Sequence, residues 1–150
     1  MSEHHSRVSW SRGGVPFDYE TYDRTHRWRF GGGAELEASA APEYRGRAEL
    51  PNPEEALVAA LSSCHMLTFL AVAARRRFTV ESYQDDAVGW MEKNPDGKLA
   101  VTRVELRPRI AFSGEKRPTP EEIEKLHEVS HRECFIANSV KTRVTVVATS

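Results

Sequence analysis

Nineteen consecutive residues without a charge, from Ala56 to Ala74, place the strongest constraint on how this chain can fold. Signals of a single helix bracket them. Asn52 suits the cap, Pro53 the first helical position, Glu54 and Glu55 the positive helix end, and Arg75-Arg76-Arg77 the negative end. A run this long invites a transmembrane reading. Against it, Ser62, Ser63, His65 and Thr68 interrupt the run, six of its nineteen residues are Ala, and the flanking chain is strand-like and polar. Together these features predict a helix buried on every side within protein. A chain of 150 residues makes one ordinary domain, 1–150, and struggles to surround such a helix alone, so some of its surface is expected to meet another subunit.

The remaining chain reads mostly as strands. Residues 1–19 are polar and without a period, and are expected to be a tail or a packed arm. Tyr22, His26, Trp28 and Phe30 fall on one strand face, and Gly31-Gly32-Gly33 turns the chain into a second strand over 34–40. Two long strands, 80–91 and 98–112, are predicted around Asn94-Pro95-Asp96-Gly97, whose Asp-Gly is a hairpin signal. Apolar Val104, Leu106, Ile110 and Phe112 alternate there with Arg103, Glu105, Arg107 and Arg109, so one face is wet and the sheet is expected to be antiparallel. Thr119-Pro120-Glu121-Glu122 reads as a capping box opening a second helix that ends near Cys134. A last strand is predicted over 141–149, and the whole pattern is of the α+β class.

Charge and cysteine content bound the function. With 21 Lys and Arg against 22 Asp and Glu, no basic surface calls for nucleic acid or an anionic membrane. The amino-terminal segment lacks the basic start, apolar run and small-residue cleavage site of a secretory signal, so a cytoplasmic protein is expected. Two cysteines seventy positions apart cannot build a disulfide scaffold. In a reducing compartment such a pair is catalytic, redox-active or merely buried.

Cys64 lies within the first helix beside His65, and Cys134 follows the second helix in His131-Arg132-Glu133-Cys134. A free thiol is only a few per cent thiolate at neutral pH, so a reactive one needs a cation or aligned donors nearby. Candidates are His65, Arg24, Arg27, Arg29, Arg45 and Arg47. Taken on their own, Glu54 and Glu55 read as ordinary first-turn carboxylates. His65 reads as a packed or hydrogen-bonded side chain, because adjacent helical residues diverge by about 100°. Met66, Phe69 and Leu70 read as core. Cys64, His65, His131 and Cys134 have the residue types of a zinc site, though neighbouring helical positions rarely hold one ion and close Cys pairs are lacking. A non-catalytic small-molecule-binding dimer is the other alternative. Gly31-Gly32-Gly33 lacks the continuation of a phosphate loop.

The segment NPEEALVAALSSCHMLTFL resembles the signature helix of the OsmC/Ohr family, and HRECFIANSVKTRV resembles its second-cysteine segment. This resemblance implies antiparallel sheets packed around a long central helix in an intertwined homodimer. It implies a thiol peroxidase acting on organic hydroperoxides, with Cys64 as peroxidatic residue, Cys134 as resolving residue and Glu54 as an active-site carboxylate. No metal or organic cofactor is implied; an external dithiol, lipoyl-type or otherwise, would reset the enzyme. The family also holds its thiolate with an arginine near the first hairpin, and no arginine here matches position for position. Glu54 and Cys64 are ten positions apart on one helix, about 15 Å at 1.5 Å per residue, so a glutamate serving Cys64 would have to come from a second subunit across a twofold axis.

Overall fold

A computed structural model of the chain describes residues 1–147. The chain forms two compact units, Met1–Ala56 and Leu57–Ser150.

In the first unit, β1 (Ser6–Ser9), β2 (His26–Phe30) and β3 (Glu35–Ala38) form an antiparallel sheet in the order β1-β2-β3. The opening hairpin is thus as expected, but residues 6–9 are a paired strand. Their side chains are all exposed, so only backbone bonding to β2 defines the strand and no apolar period marks it. After a 3₁₀ turn at Pro42–Tyr44 the chain passes Gly46, where a Cβ would fall 1.6 Å from the Ala40 carbonyl oxygen. Only glycine fits that approach. Asn52 then opens α1 (Pro53–Arg75): its side-chain oxygen accepts from the Glu55 N–H at 2.9 Å, and Glu55 reaches back to the Asn52 N–H at 3.2 Å. This is a capping box built on Asn, two orphan donors satisfied reciprocally.

Beyond residue 56, α1 buries Leu61, His65, Phe69 and Ala73, one line at four-residue spacing. Ala59, Ser63, Leu67 and Ala71 form the opposite line and are exposed, so the helix is not buried on every side within this chain. Its mean hydropathy of 1.9 over 18 residues would suit a membrane span, but its buried line anchors two apolar clusters. One gathers Phe69, Ala73, Phe78 and Leu126; the other gathers Leu61, Val104 and Leu106.

The two expected long strands are four: β4 (Thr79–Asp85), β5 (Val88–Lys93), β6 (Leu99–Leu106) and β7 (Pro108–Ser113). β5 and β6 form the hairpin at Asp96-Gly97, while β4 pairs with β7 in a separate two-stranded sheet. Asp85 stitches the break: its carboxylate accepts from the Arg107 N–H at 2.6 Å and from the Ser62 hydroxyl of α1 at 2.5 Å. Thr119 and Glu122 form the predicted capping box of α2 (Pro120–Glu133), which ends at Cys134. The last strand, β8 (Arg143–Val146), is shorter than expected and runs parallel to β6, so that sheet is mixed rather than antiparallel. Thr149, included in the expected strand, lies outside the described residues.

Candidate active site

The two cysteines, seventy positions apart in sequence, are neighbours in the second unit, Cys64 close enough to act on the Cys134 thiol, and both are free. α1 supplies Cys64 three turns from its start, and the C-terminal cap of α2 supplies Cys134. They differ in environment. Cys134 is 1% exposed and Cys64 is half-buried, so the Cys64 sulfur is the more open to a solute. Burial pushes the Cys134 thiol up, the Ala137 N–H pointing at its sulfur from 3.4 Å pulls it partly back, and Cys64 adds to the rise. A thiol held up in this way stays protonated at neutral pH and is a poor first nucleophile. Asn138 fixes the turn that follows, its amide donating to the carbonyls of Arg132 and Cys134 at 3.0 Å each.

His65 pairs with a histidine of α2 rather than with either thiol. Its ring is buried, with Nε2 at 3.0 Å from Nδ1 of His127 on α2 and the two ring planes within 13° of parallel. Burial, with His127 and His131 nearby, lowers its pKa to about 4, so the imidazole is neutral and supplies no cation to a thiolate. Sequence spacing gave no sign of His127 as partner, since 62 positions separate the two. Among the described residues no three His, Cys, Asp or Glu side chains are gathered to hold a metal, so Cys64, His65, His131 and Cys134 do not stand together as a four-ligand zinc set. Phe69, an expected core residue, is fully buried, and so does not line an entrance to Cys64.

The first unit holds a cavity of about 480 Å³ walled by Trp10, Phe17, Tyr22 and Tyr44, with Arg24 and Glu54 on its lining. Of the five candidate arginines, four are paired with carboxylates: Arg27 with Glu35 and Glu37, Arg29 with Glu35, Arg45 with Glu20 and Arg47 with Glu49. Arg24 alone among them has no carboxylate partner within the described residues. Its guanidinium lies over the Tyr22 ring, 3.5 Å from the centroid, and donates to the carbonyls of Tyr22 and Tyr19 at 2.5 and 2.6 Å. It is therefore a fixed positive charge on an apolar wall, available to an anion. Of the residues that hold it, Tyr19 lies in the stretch without a period, and Tyr22, expected on the face of the first strand, precedes that strand, which begins at His26.

A helix-borne thiol and a second thiol at the end of a later helix, in a chain that also forms an antiparallel three-stranded sheet and a mixed sheet, define the OsmC-like class of α+β proteins. The family model described as OsmC-like protein matches residues 46–149, and the chain belongs to that family. Among solved structures it is similar to an OsmC-like protein of unknown function from Vibrio cholerae O1 biovar eltor: 48% identity, TM-score 0.96, covering 99% of this chain and 100% of that one. The fold also matches an organic hydroperoxide resistance protein from Legionella pneumophila (17% identity, TM-score 0.73, covering 100% and 98%). A third match is an organic hydroperoxide resistance protein from Elizabethkingia anophelis (19% identity, TM-score 0.75, covering 100% and 97%). No curated protein matches the chain.

Proposed function

We propose that this protein is a thiol-dependent peroxidase that reduces organic hydroperoxides. The observation that carries the reading is the adjacency of two free thiols of unequal burial, one open enough to be reached and one held protonated beside it. The Cys64 thiolate attacks the distal peroxide oxygen; the O–O bond breaks, the alkoxide takes a proton and leaves as alcohol, and Cys64 becomes a sulfenic acid. Cys134 then attacks that sulfur, its proton leaving with the hydroxyl as water, and a Cys64–Cys134 disulfide remains. An external dithiol reduces the disulfide and restores both thiols. Thiols alone carry the electrons, so neither metal nor organic cofactor takes part in these steps.

Arg24 is the arginine we assign to the thiolate, because the other candidates are neutralised by carboxylates and Arg24 shares its cavity with Glu54. Both would reach Cys64 from the second subunit of a homodimer, as the ten-residue helical separation of Glu54 from Cys64 requires. The aromatic wall beside Arg24 suits an organic substrate rather than hydrogen peroxide.

Intact-mass spectrometry after one equivalent of cumene hydroperoxide tests the reading. A loss of two hydrogens that maps to a Cys64–Cys134 disulfide is expected; unmodified thiols would overturn it in favour of a binding dimer. Cys64→Ser should abolish peroxide consumption, and Cys134→Ser should permit one oxidation and then accumulate sulfenic or over-oxidised Cys64. Sustained turnover by Cys134→Ser would remove the resolving role.

A further inference from the structure

We infer that α2 carries a binding site for a divalent transition-metal ion of the zinc type, with the imidazoles of His127 and His131 as its nitrogen donors. Neither cysteine lines this site, and it does not depend on the peroxidase reading. His127-Glu128-Val129-Ser130-His131 lies wholly within α2. Two imidazoles four positions apart share one helix face a single turn apart, the spacing with which paired helical histidines bind zinc.

Both rings line a cavity of about 610 Å³ in the second unit, together with Glu124, Glu128 and apolar side chains of β7 and β8. His131 and both glutamates are exposed while His127 is half-buried, so the cavity is open to an ion on one side and walled on the other. The nitrogens of His127 are not equivalent. Nδ1 is engaged by the buried Nε2 of His65 at 3.0 Å, which leaves Nε2 as the ring's donor atom. A hydrogen bond to the far nitrogen is the usual support of a metal-bound imidazole, fixing its orientation and tautomer.

The buried pair shows where the proton goes. One ring must donate across the 3.0 Å gap and the other accept. If His65 donates, His127 carries its own proton on Nε2 and cannot bind. If His127 donates from Nδ1, its Nε2 lone pair is free and the proton of His65 sits on Nδ1, a buried atom with no partner among the described residues. Metal binding selects the second arrangement. No three His, Cys, Asp or Glu side chains are already gathered around one point. The remaining positions on the ion therefore go to water and to Glu124 or Glu128, each exposed and free to rotate.

The test is calorimetric titration of the full chain with zinc chloride. Cys64→Ser, Cys134→Ser, His4→Asn and His5→Asn are present throughout, so that neither the thiols nor the amino-terminal imidazoles compete. One equivalent per chain is expected, with affinity falling at least about tenfold in His131→Asn, a loss at the scale of disturbed metal shells. His131 is exposed, so His131→Asn should keep the parent's melting temperature. In ¹⁵N spectra zinc should shift His127 Nε2 while Nδ1 stays protonated. Absence of saturable binding, equal affinity in the His131→Asn chain, or a His127 ring unmoved by zinc would each overturn the site.

Discussion

His65 shows what a single buried titratable group does to this protein. Its folded pKa of about 4 lies below the ordinary value of 6.5, so the unfolded chain takes up a proton that the folded chain refuses. Stability is therefore complete above pH 6.5 and is lost as pH falls from there toward 4. The expected loss is about 3 kcal/mol from this group alone. Urea unfolding at pH 7 and pH 4 measures it: the parent should lose at least that amount, and His65→Gln, whose side chain does not titrate, should lose less by about the His65 contribution. Equal losses in the two chains would mean that His65 is not the acid-sensitive group. At this scale the sequence was informative about residue types and silent about partners. Cys64, Cys134 and His65 stood out as chemistry-bearing, and the view of His65 as a bonded side chain agrees with its place against His127. Which arginine lacks a carboxylate could not be read, because ion pairing depends on strand register and loop path rather than on spacing.

Among the elements, α1 and α2 were legible because caps, Pro at the first turn and terminal charges are local signals. The strand breaks were not. The apolar alternation from Val104 through Phe112 keeps its parity across Arg107, so the period runs on unbroken where the pairing changes from β5 to β4. Pro108, which cannot donate to a ladder, and the paired Asp85-Asp86 were the available signs. β8 was legible as a strand but not as parallel, since pairing direction follows from the return path of the whole chain. Gly89 of β5 gives the sharpest test of how α1 sits on its sheet. A Cβ there would meet Val58 Cγ2 at 2.6 Å and Val104 Cγ2 at 3.3 Å. Gly89→Ala should therefore cost about 1–3 kcal/mol of stability by overpacking. Adding Val58→Ala should recover part of that loss in a double-mutant cycle, and strict additivity would show that the two do not meet.

For the whole molecule, the exposed line of α1 is the informative surface. Ala59, Ser63, Leu67 and Ala71 follow one another along the helix, and Leu67 is 61% exposed. Small residues around one large apolar side chain allow a second helix to approach closely. Light scattering should give twice the 16.9 kDa chain mass. Leu67→Lys should shift the distribution toward the single chain and, if Glu54 and Arg24 act from the partner as proposed, lower peroxide reduction with it. A parent protein that runs as a stable monomer would remove the trans arrangement of both residues.

The late position of Cys134 has a consequence for the protein while it is being made. Cys64 leaves the ribosome seventy residues before its partner, and at 5–20 residues per second that interval is about 4–14 s. β8 must then run back beside β6 to complete its sheet, a pairing between segments about forty positions apart that forms only after the chain is nearly finished. Under the proposed function, a nascent chain thus carries its attacking sulfur during synthesis without the group that would rescue it from irreversible oxidation. Under that same reading, cells making this protein under peroxide stress would accumulate a fraction of chains damaged at birth, a fraction set by translation speed rather than by catalysis.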